Sequence, residues 1–303
     1  MSNNFRNYIL YRIGWSIFAL YFIFTLVFVL IRLEPADPSD VTWGGLRLDP
    51  YEKGPFLDAY LTWIWRAATL ELEGLEYAIH KVLVTLTYVA PALISAAVIG
   101  SVIGLYLSIG EGRITTALTA LVSYIGYGIP QFFLAAAIFE IALDYDIVLS
   151  VQVSKYGSPW ALPNAKGFIV AGAVLFVEMV ILQTRYTRQN ASEHKSDLFV
   201  KTFRSVGADV YSIARHIFRY IAGLLFSIMF TEMFSALLLS IIVIERVFII
   251  PGFGGYMYDA FFTRNLSAIL IVTIIVVGTL VIGNLLQDIA YYYLDPRIRA
   301  DEK

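Results

Sequence analysis

Ala268-Ile269-Leu270-Ile271-Val272-Thr273-Ile274-Ile275-Val276-Val277-Gly278-Thr279-Leu280-Val281-Ile282 carries no charged side chain, and its only polar side chains are two threonine hydroxyls. Continued to Tyr292, this run exceeds the roughly 20 residues that a helix needs to cross about 30 Å of hydrocarbon. Working back along the chain, the same reading applies to Ile13 to Ile31, Leu86 to Ile109, Leu118 to Leu143, a shorter run from Phe168 to Leu182, and Ile221 to Ile244. The 303 residues are 58% hydrophobic with a mean hydropathy of +0.70, and only 15% are charged, against roughly a quarter in soluble domains. Such a chain cannot cover itself with polar surface. The expectation is an all-α integral membrane protein with six transmembrane helices. The first run follows Arg6 and Arg12 and is longer than the roughly 7 to 15 apolar residues of a signal peptide core. No small-x-small cleavage site follows it, so it is expected to remain as an anchor.

Six spans put both termini on one side, and positively charged loops mark the cytoplasmic side. With the N-terminus inside, the inside segments hold Arg6, Arg12, Arg113, Arg185, Arg188, Lys195, Lys201, Arg204, Arg215, Arg219, Arg297, Arg299 and Lys303, more than half of the 22 basic residues. Residues 32–81 are then an external loop, and its stretch Phe56 to Lys81, with Trp63 and Trp65 close together, reads as a helix lying at the membrane interface. Asp144 to Lys166, with Gly157, Pro159 and Pro163, is a second external loop. Residues 183–220 form the longest polar stretch on the cytoplasmic face.

Within that cytoplasmic loop Phe199, Thr202, Phe203 and Val206 recur at i, i+3, i+4 and i+7, one largely apolar stripe with Lys195, Lys201 and Arg204 beside it. Gly207 stands where a helix would end, and Asp209 where a second helix through Tyr211, Ile213 and His216 would be capped. One reading is an amphipathic connector resting on the bilayer. The other is a docking knob for a cytoplasmic partner.

Other features bear on what the chain can do. Pro91 and Pro130 are expected to kink their helices, and Gly128, Pro130 and Gln131 make the third helix a candidate wall of a translocation path. Gly100 and Gly104 form a G-x-x-x-G through which two helix backbones can approach. Glu140, Glu178 and Glu232 lie at or inside the expected spans, where a carboxylate is costly in lipid and marks a candidate site. The chain holds 0 Cys, which excludes a disulfide framework, a thiolate nucleophile and a cysteine-ligated metal. His80, His194 and His216 are scattered, and neither a phosphate-binding G-x-x-x-x-G-K-[ST] nor a nucleophile elbow occurs. No catalytic residue, metal site, cofactor or nucleic-acid contact is expected of this chain.

Three segments carry a resemblance to a known family. Phe199-Val200-Lys201-Thr202-Phe203-Arg204-Ser205-Val206-Gly207-Ala208-Asp209, then Arg215-His216, precedes the fifth span; Glu245-Arg246-Val247-Phe248-Ile249-Ile250-Pro251-Gly252-Phe253-Gly254 follows it; Leu294-Asp295-Pro296-Arg297-Ile298-Arg299 closes the chain. In this order they resemble the permease subunits of the oligopeptide, dipeptide and nickel family of binding-protein-dependent ABC importers, over nearly the whole chain. Phe203 stands where the family has a small alanine. The resemblance implies a MetI-like type I importer fold over residues 1–303 as a single permease domain. It further implies a homologous second permease, two cytoplasmic ATPase subunits that hold the ATP and Mg, and an external substrate-binding protein. It places ATPase coupling on residues 199–209 and an external gate or binding-protein contact on Pro251, Gly252, Phe253 and Gly254. The alternative is a proton-driven secondary transporter using Glu140, Glu178 and Glu232, against which stand six spans without inverted repeats. The substrate is open among peptides, sugars and nickel.

Topology is directly testable because there is no cysteine background. Single cysteines at positions 51 and 156 are expected to react with an impermeant thiol reagent added to intact cells, and those at 111 and 195 only after the membrane is opened. Labelling of position 195 from outside overturns the orientation.

Overall fold

The computed structural model describes residues 3–33, 55–72, 74–109, 128–228, 234–263 and 265–294, and every regular element among them is a helix. We number the longer ones α1 (Asn3–Leu33), α2 (Phe56–Thr69), α3 (Leu75–Ile109), α4 (Gln131–Asp144), α5 (Ala165–Glu193), α6 (Leu198–Ser205), α7 (Val210–Ile228), α8 (Phe234–Val247), α9 (Phe253–Phe262) and α10 (Leu266–Leu294). Among the described residues four helices are long and apolar enough to cross a membrane, within Tyr11–Leu30, Leu75–Ile109, Leu162–Ser196 and Ser267–Leu285. The other two expected runs fall partly on residues 110–127 and 229–233, outside the described residues.

The centre of the molecule is the pairing of α3 with α5. A Cβ added at Gly104 would sit 2.6 Å from the Thr184 carbonyl oxygen, and one at Gly100 would sit 2.7 Å from Gln183 Cβ. The backbones therefore touch with no side chain between them, as the G-x-x-x-G spacing anticipates. Gln183 Nε2 donates to Ser101 Oγ at 2.9 Å inside this contact. Gly172 faces Tyr88 near the other end of the pair. Because Tyr88, Gly100 and Gly104 meet successively later residues of α5, the two helices run in the same direction.

Around this pair the remaining helices pack by their apolar faces. Gly167, at the start of α5, packs against Leu149, just beyond the end of α4, so α4 runs antiparallel to α5. Ile213, Ile217, Ile221 and Leu225 form the buried stripe of α7 against Ala191 and Leu105, at the late end of α3 and α5. At the opposite end the Thr85 hydroxyl of α3 meets Glu245, near the last residue of α8. α10 packs on α7, α9 and α1, and Leu270 joins Phe24, Phe28 and Trp63 in a separate aromatic cluster.

Several expected boundaries move. Phe56 to Lys81 is not one helix: α2 ends at Leu70 in a left-handed conformation (φ 55°), Gly74 takes φ 89°, and α3 begins at Leu75. Trp63 does not face outward. It is fully buried, 5.1 Å from the Phe28 ring, whereas Trp65 on the opposite face is exposed. α5 continues to Glu193, so Gln183 to Glu193 is helix packed on α3 rather than loop. Pro130 precedes the first turn of α4 instead of kinking a continuous helix, the position where its missing N–H costs nothing. Pro91 does lie inside α3, and Ser95 Oγ donates to its carbonyl at 2.6 Å.

Gly104→Ala is expected to push α3 from α5 and destabilise the protein by about 1–3 kcal/mol, the usual range for overpacking. Gly278→Ala on α10, where nothing lies within 4 Å, should leave stability nearly unchanged. Thermal unfolding of the two variants in detergent checks the contrast.

Candidate functional site

The loop singled out in the sequence folds as a helical hairpin at the end of the bundle where α3 and α5 finish. α5 passes through a short 3₁₀ turn (His194–Ser196) into α6, and the Asp197 carboxylate accepts from the His194 ring at 2.8 Å across that turn. α6 ends in a two-bond C-cap: Gly207 N–H donates to the Arg204 carbonyl at 3.1 Å and Ala208 N–H to that of Phe203 at 2.9 Å. Gly207 has φ 75°, the left-handed conformation this cap requires and glycine adopts at low cost. Asp209 then starts α7. Hydrogen bonds from the Ser212 side chain, and from the Ser212 and Tyr211 backbone, hold its carboxylate below the ordinary range.

The expected stripe is divided between two faces. Val200 is fully buried, and Phe199 and Phe203 are half-buried against α7, where Phe203 lies 4.4 Å from the His216 ring and Phe199 6.0 Å from the Tyr220 ring. The exposed face carries Leu198 and Val206, 82% and 75% exposed, with Lys201, Thr202, Arg204 and Ser205, and continues onto Val210 and Tyr211. Sequence periodicity placed both phenylalanines on the outward ridge because it cannot see α7 folding back beneath them. Leu198 and Val210 went unnoticed for the same reason, and Tyr211 was read only as part of the second helix.

At the other end of the bundle, Pro251 and Gly252 complete the turn between α8 and α9, Phe253 and Gly254 open α9, and a buried carboxylate fastens the junction. Glu245 is 1% exposed. It accepts from Thr85 Oγ1 at 2.5 Å and Tyr88 OH at 3.1 Å, both on α3, and from Gly255 N–H at 2.8 Å. Thr85 Oγ1 in turn accepts from Phe253 N–H at 2.7 Å. The first-turn amides of α9 are thus capped by side chains from α8 and α3, which also suits the helix dipole. A Cβ at Gly252 would lie 2.6 Å from Thr85 Oγ1, and one at Gly254 2.7 Å from the Ile241 backbone, so the turn has no room for a side chain at either glycine. Ile249 is held at φ 54°, a strained conformation for a β-branched residue. Val151 N–H donates to the Phe248 carbonyl at 3.2 Å, tying the α4–α5 connection to the same turn. Arg246 pairs with Asp259 on the exposed side, its guanidinium 4.2 Å from the Tyr258 ring centre. The spacing Glu245 to Gly254 contained the carboxylate, but only the fold brings Thr85 and Tyr88 to it.

Of the residues expected along a path, Gly128 and Pro130 are exposed, and the Gln131 amide is buried with neither its nitrogen nor its oxygen hydrogen-bonded. Glu140 is exposed on α4, and Glu178 is half-buried on α5 with Oε2 unpaired. Glu232 lies outside the described residues.

Comparison with known proteins gives a consistent answer. Residues 96–300 match the profile of a family described as the binding-protein-dependent transport system inner membrane component. The chain is 25% identical to a probable peptide ABC transporter permease of Sinorhizobium fredii, covering 96% of this chain and 99% of that one. It is 26% identical to a putative peptide transport system permease of Brucella abortus, over 97% and 99%. It is 24% identical to the dipeptide transport system permease of Bacillus subtilis, over 70% and 66%.

All three groups on Glu245 are donors, so Glu245→Gln points an amide at one of them and leaves it facing another donor. We expect a loss of about 1–3 kcal/mol, with Thr85→Val losing a similar amount and Thr85→Ser close to wild type. Thermal unfolding, with proteolysis at the α8–α9 turn as the local probe, measures it.

Proposed function

The chain belongs to the family of inner membrane components of binding-protein-dependent transport systems, and from that membership we propose that it forms half of an importer's translocation pathway and couples it to cytoplasmic ATPase subunits through the α6–α7 hairpin. The observation that carries this reading is the exposed ridge of Leu198, Thr202 and Val206, flanked by Lys201 and Arg204, on a hairpin braced from behind by Phe199, Val200 and Phe203 and closed by the cap at Gly207 and Ala208. A rigid, partly apolar projection with basic flanks suits insertion into a groove on a soluble partner. Phe199, Phe203 and Ala208 brace the hairpin from behind, so Phe203 in place of a small residue alters the bracing rather than the ridge. Gly207 and Asp209 set its shape.

The six-pass topology with both termini cytoplasmic has support from helix direction as well as from charge. α3 and α5 are parallel, which requires the chain to recross the bundle between them, and α4 is the described part of that return. α7 starts at the hairpin end and α8 finishes at the Glu245 end, so together they make the fifth pass. The hairpin then lies on the cytoplasmic face and the Pro251–Gly254 turn on the external face, where a binding protein delivers its cargo. A homologous permease supplies the other half of the pathway, and ATP with Mg resides on the ATPase subunits. The relatives named as peptide permeases make short peptides the proposed substrate. Motion enters at α6 and passes along α7 and α8, and the Glu245 clamp carries it to α3 and α9 as a rigid-body change between inward-facing and outward-facing states.

The test uses the assembled complex. Leu198→Asp combined with Val206→Asp is expected to leave insertion and permease pairing intact and to remove the ATPase subunits on co-purification. Full ATPase recovery, with peptide-stimulated hydrolysis unchanged, would overturn the docking role.

A further inference from the structure

Alongside their line of contact, α3 and α5 part around a groove of about 630 Å³. From Thr87 to Ile99 the groove follows α3 for about 18 Å at 1.5 Å per residue, more than the roughly 15 Å of hydrocarbon in one leaflet. Small side chains keep it concave, with Ala92, Gly172 and Ala173 where larger ones would fill it. Its floor is the stacked pair Tyr88 and Phe168, ring centres 6.4 Å apart. Its polarity is graded along its length. At one end Trp160 Nε1–H donates to Thr87 Oγ1 at 2.9 Å, the His80 ring stands edge-on 5.0 Å from the indole, and Pro91 brings no N–H to the Thr87 carbonyl. Deeper in, the two hydroxyls are turned away: Ser95 Oγ donates to the Pro91 carbonyl of its own helix at 2.6 Å, and Tyr88 OH donates to Glu245.

A groove that is polar at one end and apolar below it matches an amphiphile standing in the bilayer. Drawn out over at least about 18 Å, this volume has a mean section of at most about 35 Å², less than half that of a helix about 10 Å across. A helix of a second subunit is too wide to enter, whereas a flexible alkyl chain fits. The rim is open, with Ile169 70% and Trp160 47% exposed, and a tryptophan at the mouth sits where headgroups meet hydrocarbon. We propose that the groove holds one acyl chain of a phospholipid, with the ester and headgroup at Trp160 and Thr87 and the methylenes running down to Ile99. The walls supply van der Waals contacts that a fluid neighbour does not. On the orientation proposed above the chain comes from the outer leaflet. It packs directly behind the Glu245 clamp, because the Tyr88 ring is its floor while the Tyr88 hydroxyl donates to Glu245 at 3.1 Å.

The test uses nanodiscs that hold the full chain with the subunits that co-purify with it, doped with a phosphatidylcholine carrying a diazirine midway along one acyl chain. After illumination, mass spectrometry of the peptides locates the inserted label. Label per residue is expected to be several-fold denser on Pro91, Ile169, Ala173 and Phe176 than on Phe22, Leu26 and Leu30, the exposed apolar side of α1. Ala173→Phe fills the groove from an exposed position and should abolish the excess on Pro91, Ile169 and Phe176 while leaving α1 unchanged. Equal density on the groove and on α1 overturns the proposal, because the groove is then ordinary lipid-facing surface. So does an excess that survives Ala173→Phe. A groove without label also overturns it, since a neighbouring subunit then covers the site. If Ala173→Phe fails to assemble, the ratio in the unsubstituted chain still decides. No outcome depends on transport, so failure of the import reading and failure of the lipid site are told apart.

Discussion

Backbone contact between α3 and α5 is the constraint on which the rest of the molecule is arranged. Apolar side chains on two helices in lipid gain little by meeting each other, because the acyl chains are just as apolar. Close approach at Gly100 and Gly104 supplies what the hydrophobic effect does not: dense van der Waals contact and a buried Gln183–Ser101 hydrogen bond. Once those two helices are joined in parallel, the positions of both functional ends follow. The late end of the pair, with Leu105 and Ala191, is the platform for the α6–α7 hairpin, and the early end brings Thr85 and Tyr88 to Glu245.

The two ends also differ in how they are held. The hairpin depends on aromatic and aliphatic packing and on the caps at its turn, with the ridge of Leu198, Thr202 and Val206 exposed. The α8–α9 turn depends on a charge-bearing group enclosed by three donors, with glycines at the points of closest approach and a strained Ile249 beside them. Removing one partner of such a group exposes the cost of a buried polar atom, whereas trimming the hairpin's ridge removes little that the fold needs. α7 and α8 join the two places.

Much of this was legible in the residues. Apolar runs located the long helices, the G-x-x-x-G located the central contact, and Gly207 and Asp209 located a turn and a cap. What periodicity could not supply was direction in the third dimension. Phe199 and Phe203 share a stripe with Thr202 and Val206, yet α7 covers only the phenylalanines. Trp63 and Trp65 look alike in sequence, but α1 buries one and leaves the other exposed. Helix starts were read late at Leu86 and Phe168 because Glu76, His80, Lys81 and Lys166 lower the hydropathy of the first turns. Glu245 was visible as a charge beside an apolar run, while its partners at Thr85 and Tyr88 are far away in the chain and carry no signal of their own.

The double hydrogen bond that closes α6 has a consequence for how the hairpin can change over time. With the carbonyls of Phe203 and Arg204 already occupied by Ala208 and Gly207, these terminal backbone acceptors are engaged within the hairpin. Under the proposed docking role, a groove receiving it would read contour and a few long side chains rather than main-chain polarity. Contour is a forgiving code: Thr for Ser or Val for Ala on the ridge preserves it, whereas a single β-carbon at Gly207 does not. If the ridge docks as proposed, paired genes for it and its groove could drift in letters while keeping a common shape, and a partner taken from a distant lineage would be a better candidate for functional exchange than the identity of the two sequences would suggest.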